Sequence, residues 1–439
     1  MTNKSVFAVM LSSSAVLLSS GIINSAMADT STFISDSKTD ITLSNNYIHL
    51  IDTMYPDYSY YDMTAWGQAI SVDFQSGYIN DMFGLDLSLY GVDDLKAAEG
   101  FATRGYFRAE TDSSGNTSAH GFTKVPQYLL KQKFQVGDMQ LSLFEGMRYL
   151  QDFGVLSTED RIIHSSYYGV TSELENTRWL LKAGYLSRYS DTDTPNKEVM
   201  LTKDGKDIDY VYTGDLTYRS DDWSARYYYG ESQDYLRRQV AEYSYNWDRG
   251  KTLSARYFYN QGLENWKNLS DFSRFYDNDA SHFTLEARMF SPEWFIKAGY
   301  TYSRAAREYS LGRFDWNMSD NSLGNQDSMA HGLSTNFTND GEHVLGIIAI
   351  RNITPEIKAG FVARYGFGME YKGNHMNESE VGLIGAWTPE AVKGLSINVG
   401  GGPNYSFKRG YDNTPLLNSD GQWQQSTGYC FTASVKYTF

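Results

Sequence analysis

Only one cysteine, Cys430, occurs in 439 residues, so no internal disulfide framework can staple the fold. Basic charge is in deficit: 38 Lys and Arg stand against 53 Asp and Glu, a net charge of -15. That balance argues against nucleic acid as a partner. Past residue 28 there is no run of about 18 apolar residues, so no transmembrane helix is encoded. No linker or composition break marks a domain boundary. These absences leave one membrane architecture open. In a β-barrel, lipid-facing and lumen-facing residues alternate and cancel in any hydropathy average, so a mean hydropathy of -0.48 is compatible with it.

The amino terminus points to export. Lys4 supplies a positive start, residues 6–23 form an apolar stretch diluted by serine, and Ala26-Met27-Ala28 is a small-x-small cleavage site. Residues 1–28 therefore read as a signal peptide and residues 29–439 as a single barrel domain. An uncleaved anchor is the alternative, disfavoured by the serines and the cleavage site. Aromatic residues make up 15% of the chain, with 35 Tyr, enough to furnish interfacial girdles on both rims of a barrel.

The last eleven residues carry the pattern most plainly. Tyr429, Phe431, Ala433, Val435, Tyr437 and Phe439 alternate with Cys430, Thr432, Ser434, Lys436 and Thr438. Period-two alternation gives one apolar face. A strand ending on an aromatic residue at the chain terminus suits a barrel whose last strand pairs with its first. Similar segments recur along the chain, from 41–49 to 429–439, and predict about 18 strands in an all-β, antiparallel transmembrane barrel. The connections are expected to alternate long and short throughout. Long ones include 91–124, 188–209, 261–281, 304–342 and 406–428; short ones include 135–138, 220–222 and 249–252. Long loops belong outside the cell and short turns on the periplasmic side.

The faces follow from charge. In Trp223–Tyr229 and Leu253–Tyr259, arginine shares a face with Ser, Tyr or Phe, opposite Trp, Leu, Ala and Tyr. Arginine at the bilayer midplane costs about 2–4 kcal/mol, so its face is the lumen. This register points Lys182, Arg226, Arg256, Arg288, Lys297 and Arg364 inward, the first five at similar height along one basic wall. Tyr228 and Phe258 point inward with them.

Three patches resemble the OprD-type substrate-specific porins, and within them the chitoporin-like branch. They are Phe33-Ile-Ser-Asp-Ser, the pair Val72-Asp-Phe-Gln-Ser-Gly-Tyr78 and Asp81-Met-Phe-Gly-Leu-Asp86, and Asp160-Arg-Ile-Ile-His-Ser-Ser-Tyr-Tyr-Gly169, where His164 replaces the family's usual proline. The resemblance implies an 18-strand barrel with a narrow pore. Its third external loop, about residues 149–164, folds inward and a ladder of basic residues lines the wall. The implied constriction loop offers Tyr149, Asp152, Phe153, Glu159, Asp160 and Arg161. Opposed acidic and basic walls would set a transverse field across the bore. Tyr149, Phe153, Tyr228 and Phe258 would stack on sugar faces or instead pack the loop against the wall. The arginines carry the same two readings, as ligand guides or as anchors of the loop.

The implied cargo is chito-oligosaccharide, with amino acids or small organic acids as the alternative. A barrel with hydrolase or surface-binding activity at its rim is the reading from another class. Seven histidines are expected in loops or at strand ends, and none sits in a triad-like pattern, so no enzyme is expected. Residues 315–320 and 339–342 hint at calcium loops but lack the EF-hand spacing and read as solvated loops or hairpin turns; no metal or cofactor is expected. The expected partners are small hydrophilic solutes, outer-membrane lipid and lipopolysaccharide, and the barrel-assembly machinery through the strand ending in Phe439. The oligomeric expectation is a monomer or weak trimer.

Overall fold

In a computed structural model, residues 31–54, 61–97, 105–410 and 412–439 are described. The signal peptide expected at residues 1–28 lies outside these. Eighteen strands form one antiparallel sheet. They are β1 (Lys38–Asp52), β2 (Tyr61–Gln75), β3 (Phe83–Ala97), β4 (Phe122–Val136), β5 (Met139–Arg148) and β6 (Ser166–Glu175). Next come β7 (Trp179–Ser190), β8 (Val211–Arg219), β9 (Trp223–Ser232), β10 (Leu236–Asp248), β11 (Lys251–Gly262) and β12 (Asp279–Phe290). The last six are β13 (Trp294–Arg304), β14 (His343–Asn352), β15 (Ile357–Tyr371), β16 (Asn374–Trp387), β17 (Leu395–Phe407) and β18 (Gln425–Thr438). β1 pairs with both β2 and β18, which closes the sheet. Ile41 and Phe439 exchange both backbone hydrogen bonds at 3.0 and 3.1 Å, so the last residue belongs to the seam. Closure leaves the barrel sheet without an edge, as a hydrocarbon environment requires.

Each strand expected from alternation is present. On β3, Leu85, Leu87 and Leu89 are 41–55% exposed on the outside. Between them Asp86, Ser88 and Tyr90 are buried on the inside. The aromatics form two girdles. Trp179, Tyr218 and Trp223 follow one another at 4.7 and 5.2 Å near the short-turn end. Tyr185, Tyr210, Tyr212 and Tyr229 do so at 5.3, 6.1 and 6.0 Å near the loop end.

Strict long–short alternation does not hold. β9 and β10 are joined by residues 233–235 alone, and β15 and β16 by Lys372 and Gly373. Lys372 and Gly373 both have positive φ, 47° and 77°, the geometry of a tight two-residue hairpin. Strands β10, β15 and β16 run further toward the loop end than alternation suggested. The reason is that polar residues there face inward and are covered by a loop, Arg238 among them.

The largest buried apolar cluster lies inside the bore. It joins Leu150, Phe153, Val155 and Leu156 of the third loop to Phe314, Trp316, Met318 and Phe337 of the seventh. Tyr228, Val240 and Phe258 of the wall complete it.

Candidate channel constriction

The third loop is not alone in folding into the barrel; the seventh does so too. The third, residues 149–165, leaves β5 and rests on inward glycines of the wall. A Cβ on Gly184 would come within 2.9 Å of the Phe153 ring, and one on Gly230 within 2.2 Å of Val155. The seventh, residues 305–342, covers the opposite part. Phe314 and Trp316 meet Phe258 at 6.0 and 5.4 Å, and Arg238 donates to the carbonyls of Asp315 and Trp316. The loops touch each other. Leu156 and Gly324 form a β-bridge, Asn325 N–H donates to the Val155 carbonyl at 3.1 Å, and Ser157 N–H donates to the Leu323 carbonyl at 3.3 Å.

The third loop lies inward as the resemblance implies; the seventh, expected as a solvated external connection, folds inward as well. Trp316 and Met318 are buried, so residues 315–320 are packing rather than a solvated loop. Asn339 and Glu342 bond to each other at 3.0 Å, and Asn339 reaches Glu378 on β16 at 3.0 Å. Burial, with Glu378 beside it, holds the Glu342 carboxyl well above the usual carboxylate range. Among the described residues no cluster of three His, Cys, Asp or Glu could hold a metal ion.

All six basic residues read from the register point into the bore, and every one has a carboxylate or carbonyl partner. Lys182 donates to the Asp152 carbonyl at 3.0 Å. Arg226 binds Asp215 on β8 and, through Nη1, both carboxylate oxygens of Asp152 at 2.7 and 2.8 Å. Arg256 bridges Glu242 on β10 and Asp327 of the seventh loop, each at 3.0 Å. Arg288 pairs with Glu286 at 2.9 Å and Lys297 with the same carboxylate at 3.0 Å. Both also reach Asp327, at 3.4 and 3.5 Å. Arg364 pairs with Glu380 at 2.8 Å and donates to the Met329 carbonyl at 2.8 Å.

The expected opposition of a basic wall to an acidic one is therefore corrected. Asp215, Glu242 and Glu286 stand on the same wall as the arginines, on the same or a neighbouring strand. Paired positions β10 Glu242 and β11 Arg256 lie directly across the ladder, where opposite charges attract. A register read from the basic residues alone does not include these acids. The same inward parity would have found them.

Of the two readings of the aromatics, the structure carries packing for three of the four. Tyr228 and Phe258 are 1% and 0% exposed and lie under the loops, as is Phe153 at 2%. Tyr149 alone of the four is not fully buried, and its hydroxyl is engaged by Tyr90 and by Asp73 at 3.3 Å. Packing of loop against wall accounts for the buried three.

The rest of the third loop faces β1, β2 and β18. Arg161 pairs with Glu159 at 2.6 Å, and its carbonyl accepts from Asn46 at 3.1 Å. Asp160 lies 3.4 Å from His164 and 3.5 Å from Lys436. His282, expected at a strand end, lies within β12, fully buried between the Ser303 and Ser328 hydroxyls at 2.9 and 2.7 Å.

Exposure decides what the bore presents to water. The Asp152 and Asp327 side chains are 63% and 46% exposed; those of Arg226, Arg256 and Lys297 are 13%, 6% and 12%. The cations form the base of the belt and the loop carboxylates its lip. Partial desolvation opposes the charge on Asp327, yet Arg256, Lys297 and Arg288 together hold its pKa well below the usual range.

A closed barrel girdled for lipid, with a charged bore narrowed by inward loops, is an outer-membrane diffusion channel. The chain belongs to the OprD family: the model of that family, described as an outer membrane porin, matches residues 31–302. The fold recurs in solved channels of low identity. Pseudomonas aeruginosa OpdK, solved with vanillate, is 16% identical at a TM-score of 0.70, over 93% of this chain and 99% of that one. P. aeruginosa OccK8 (OprE) is 16% identical at 0.69, over 93% and 99%. Acinetobacter baumannii OccAB1 is 12% identical at 0.71, over 95% and 100%. No curated protein sequence matches the chain.

Proposed function

We propose that this porin is a passive channel selective for uncharged or weakly charged hydrophilic solutes, chito-oligosaccharides before small carboxylates. The observation that carries the reading is charge balance at the constriction. Lys182, Arg226, Arg256, Arg288 and Lys297 are met by Asp152, Asp215, Glu242, Glu286 and Asp327. A solute carboxylate finds no unpaired cation there, while a row of ordered donors and acceptors suits sugar hydroxyls. The sequence patches shared with the chitoporin-like branch support the same cargo.

Carboxylate cargo is the second reading. It is favoured by the vanillate-bound structure of a channel with this fold and by Arg288, the most exposed of the wall arginines at 29%. Within this proposal the mature chain begins at Asp29, and the strand ending in Phe439 is presented to the assembly machinery. The test is purified protein in a planar bilayer. Chito-oligosaccharide should block the open current transiently, and small carboxylates should not. Block by carboxylates alone reverses the order of cargoes.

A further inference from the structure

We infer that Asp327 is the specificity-determining residue of the bore, a single loop carboxylate that offsets the one positive charge left over among three wall cations and thereby keeps anions out. The inference rests on the channel reading above and adds the residue that sets its charge preference.

Three strands converge on Asp327. Arg256 from β11 reaches it at 3.0 Å, Arg288 from β12 at 3.4 Å and Lys297 from β13 at 3.5 Å. The wall itself supplies only two carboxylates to these three cations, Glu242 and Glu286. Without Asp327 the group carries one net positive charge; with it, none. Asp327 also stands between that charge and the water of the bore, since it is the most exposed member of the group.

The loop does not depend on this side chain for its position. Asn325, just before it, is held by Asp152 at 3.0 Å and by the Val155 carbonyl. Ser328, just after it, bonds to His282 at 2.7 Å. Met329 fills the space above Gly299 and Gly346, where added Cβ atoms would meet it at 2.8 and 2.5 Å. Arg256 additionally bonds to the backbone carbonyl of Asp327, a contact that survives loss of the carboxylate charge. Asp327→Asn therefore changes charge in a loop pinned on both sides.

The experiment is the reversal potential of single channels in a KCl gradient, on wild type, Asp327→Asn and the double variant Asp327→Asn with Arg288→Gln. Asp327→Asn should move the chloride-to-potassium permeability ratio about fivefold toward chloride, as one uncompensated charge near the ion path does. The double variant, neutral again, should return toward wild type. An unchanged ratio in Asp327→Asn overturns the inference. So does a rise in conductance without a change of ratio, which would make Asp327 a mechanical latch. A wild-type barrel without conductance would instead defeat the channel reading, a separate outcome.

Discussion

Leu156 of the third loop and Gly324 of the seventh form one antiparallel bridge inside the barrel. Two loops that leave the sheet far apart in sequence are thereby joined into a single constriction. Gly324 sits in a close fit: an added Cβ would lie 1.7 Å from the Trp316 carbonyl oxygen of its own loop and 2.9 Å from Arg238 Nη1 on the wall. Backbone cannot yield as a flexible side-chain tip can. Gly324→Ala should part the loops and raise single-channel conductance, with unfolding of the barrel itself unaffected on heat-modifiability gels.

Trp316 ties the seventh loop to the wall through Phe258 and His282, the ring centroids 5.4 and 5.0 Å apart. Truncating a buried aromatic costs about 3–5 kcal/mol. Spent on docking of one loop, that is enough to release it. Trp316→Ala should give a wider, noisier channel in bilayer recordings and fast protease cleavage within residues 305–342, while the strands remain protected.

Arg226 holds the third loop as well as the charge balance. Its removal leaves Asp215, whose side chain is 1% exposed, without its cation, and frees Asp152 to face the bore. Breaking such a buried pair from one side costs about 3–5 kcal/mol. Arg226→Ala and Arg256→Ala should both shift the reversal potential toward cations. A shift toward anions would place these guanidinium groups elsewhere than in the bore.

A pH effect is expected at the fourth loop, residues 191–210. The Asp193 carboxyl is pushed up from 3.8 to about 6, first by burial and then by Asp191, while it accepts from Gly105 N–H at 3.1 Å. A raised carboxyl pKa means the folded loop prefers the neutral acid. Docking is strongest below pH 3.8, weakens as pH rises toward 6, and is level above that. Amide hydrogen exchange over residues 191–200, corrected for its intrinsic pH dependence, should show less protection at pH 7 than at pH 4. Asp193→Asn should remove the difference.

Much of this was legible in the sequence, for a physical reason. Alternation reports which way each strand residue points, so eighteen strands and six inward cations could be read from Lys182 to Arg364. What alternation cannot report is a contact between a loop and a wall. Phe258 and Tyr228 have the same inward parity whether they face water or the seventh loop, and only the fold places Trp316 over one of them. A usable signal was present. Gly184, Gly230, Gly299 and Gly346 all fall at inward positions, and each marks a place where a loop side chain rests on bare backbone. Partner acids such as Glu242 and Glu286 share the parity of the arginines they bind. Reading both signs together would have predicted a balanced belt.

The most direct measurement is the open-channel current of the wild-type protein in a planar bilayer, with ion selectivity and solute block recorded on the same channels. A charge-balanced constriction with a carboxylate lip predicts stable conductance, a preference for potassium over chloride, and brief block by neutral chito-oligosaccharides. Strong chloride selectivity, with block by small carboxylates and none by sugars, would contradict it.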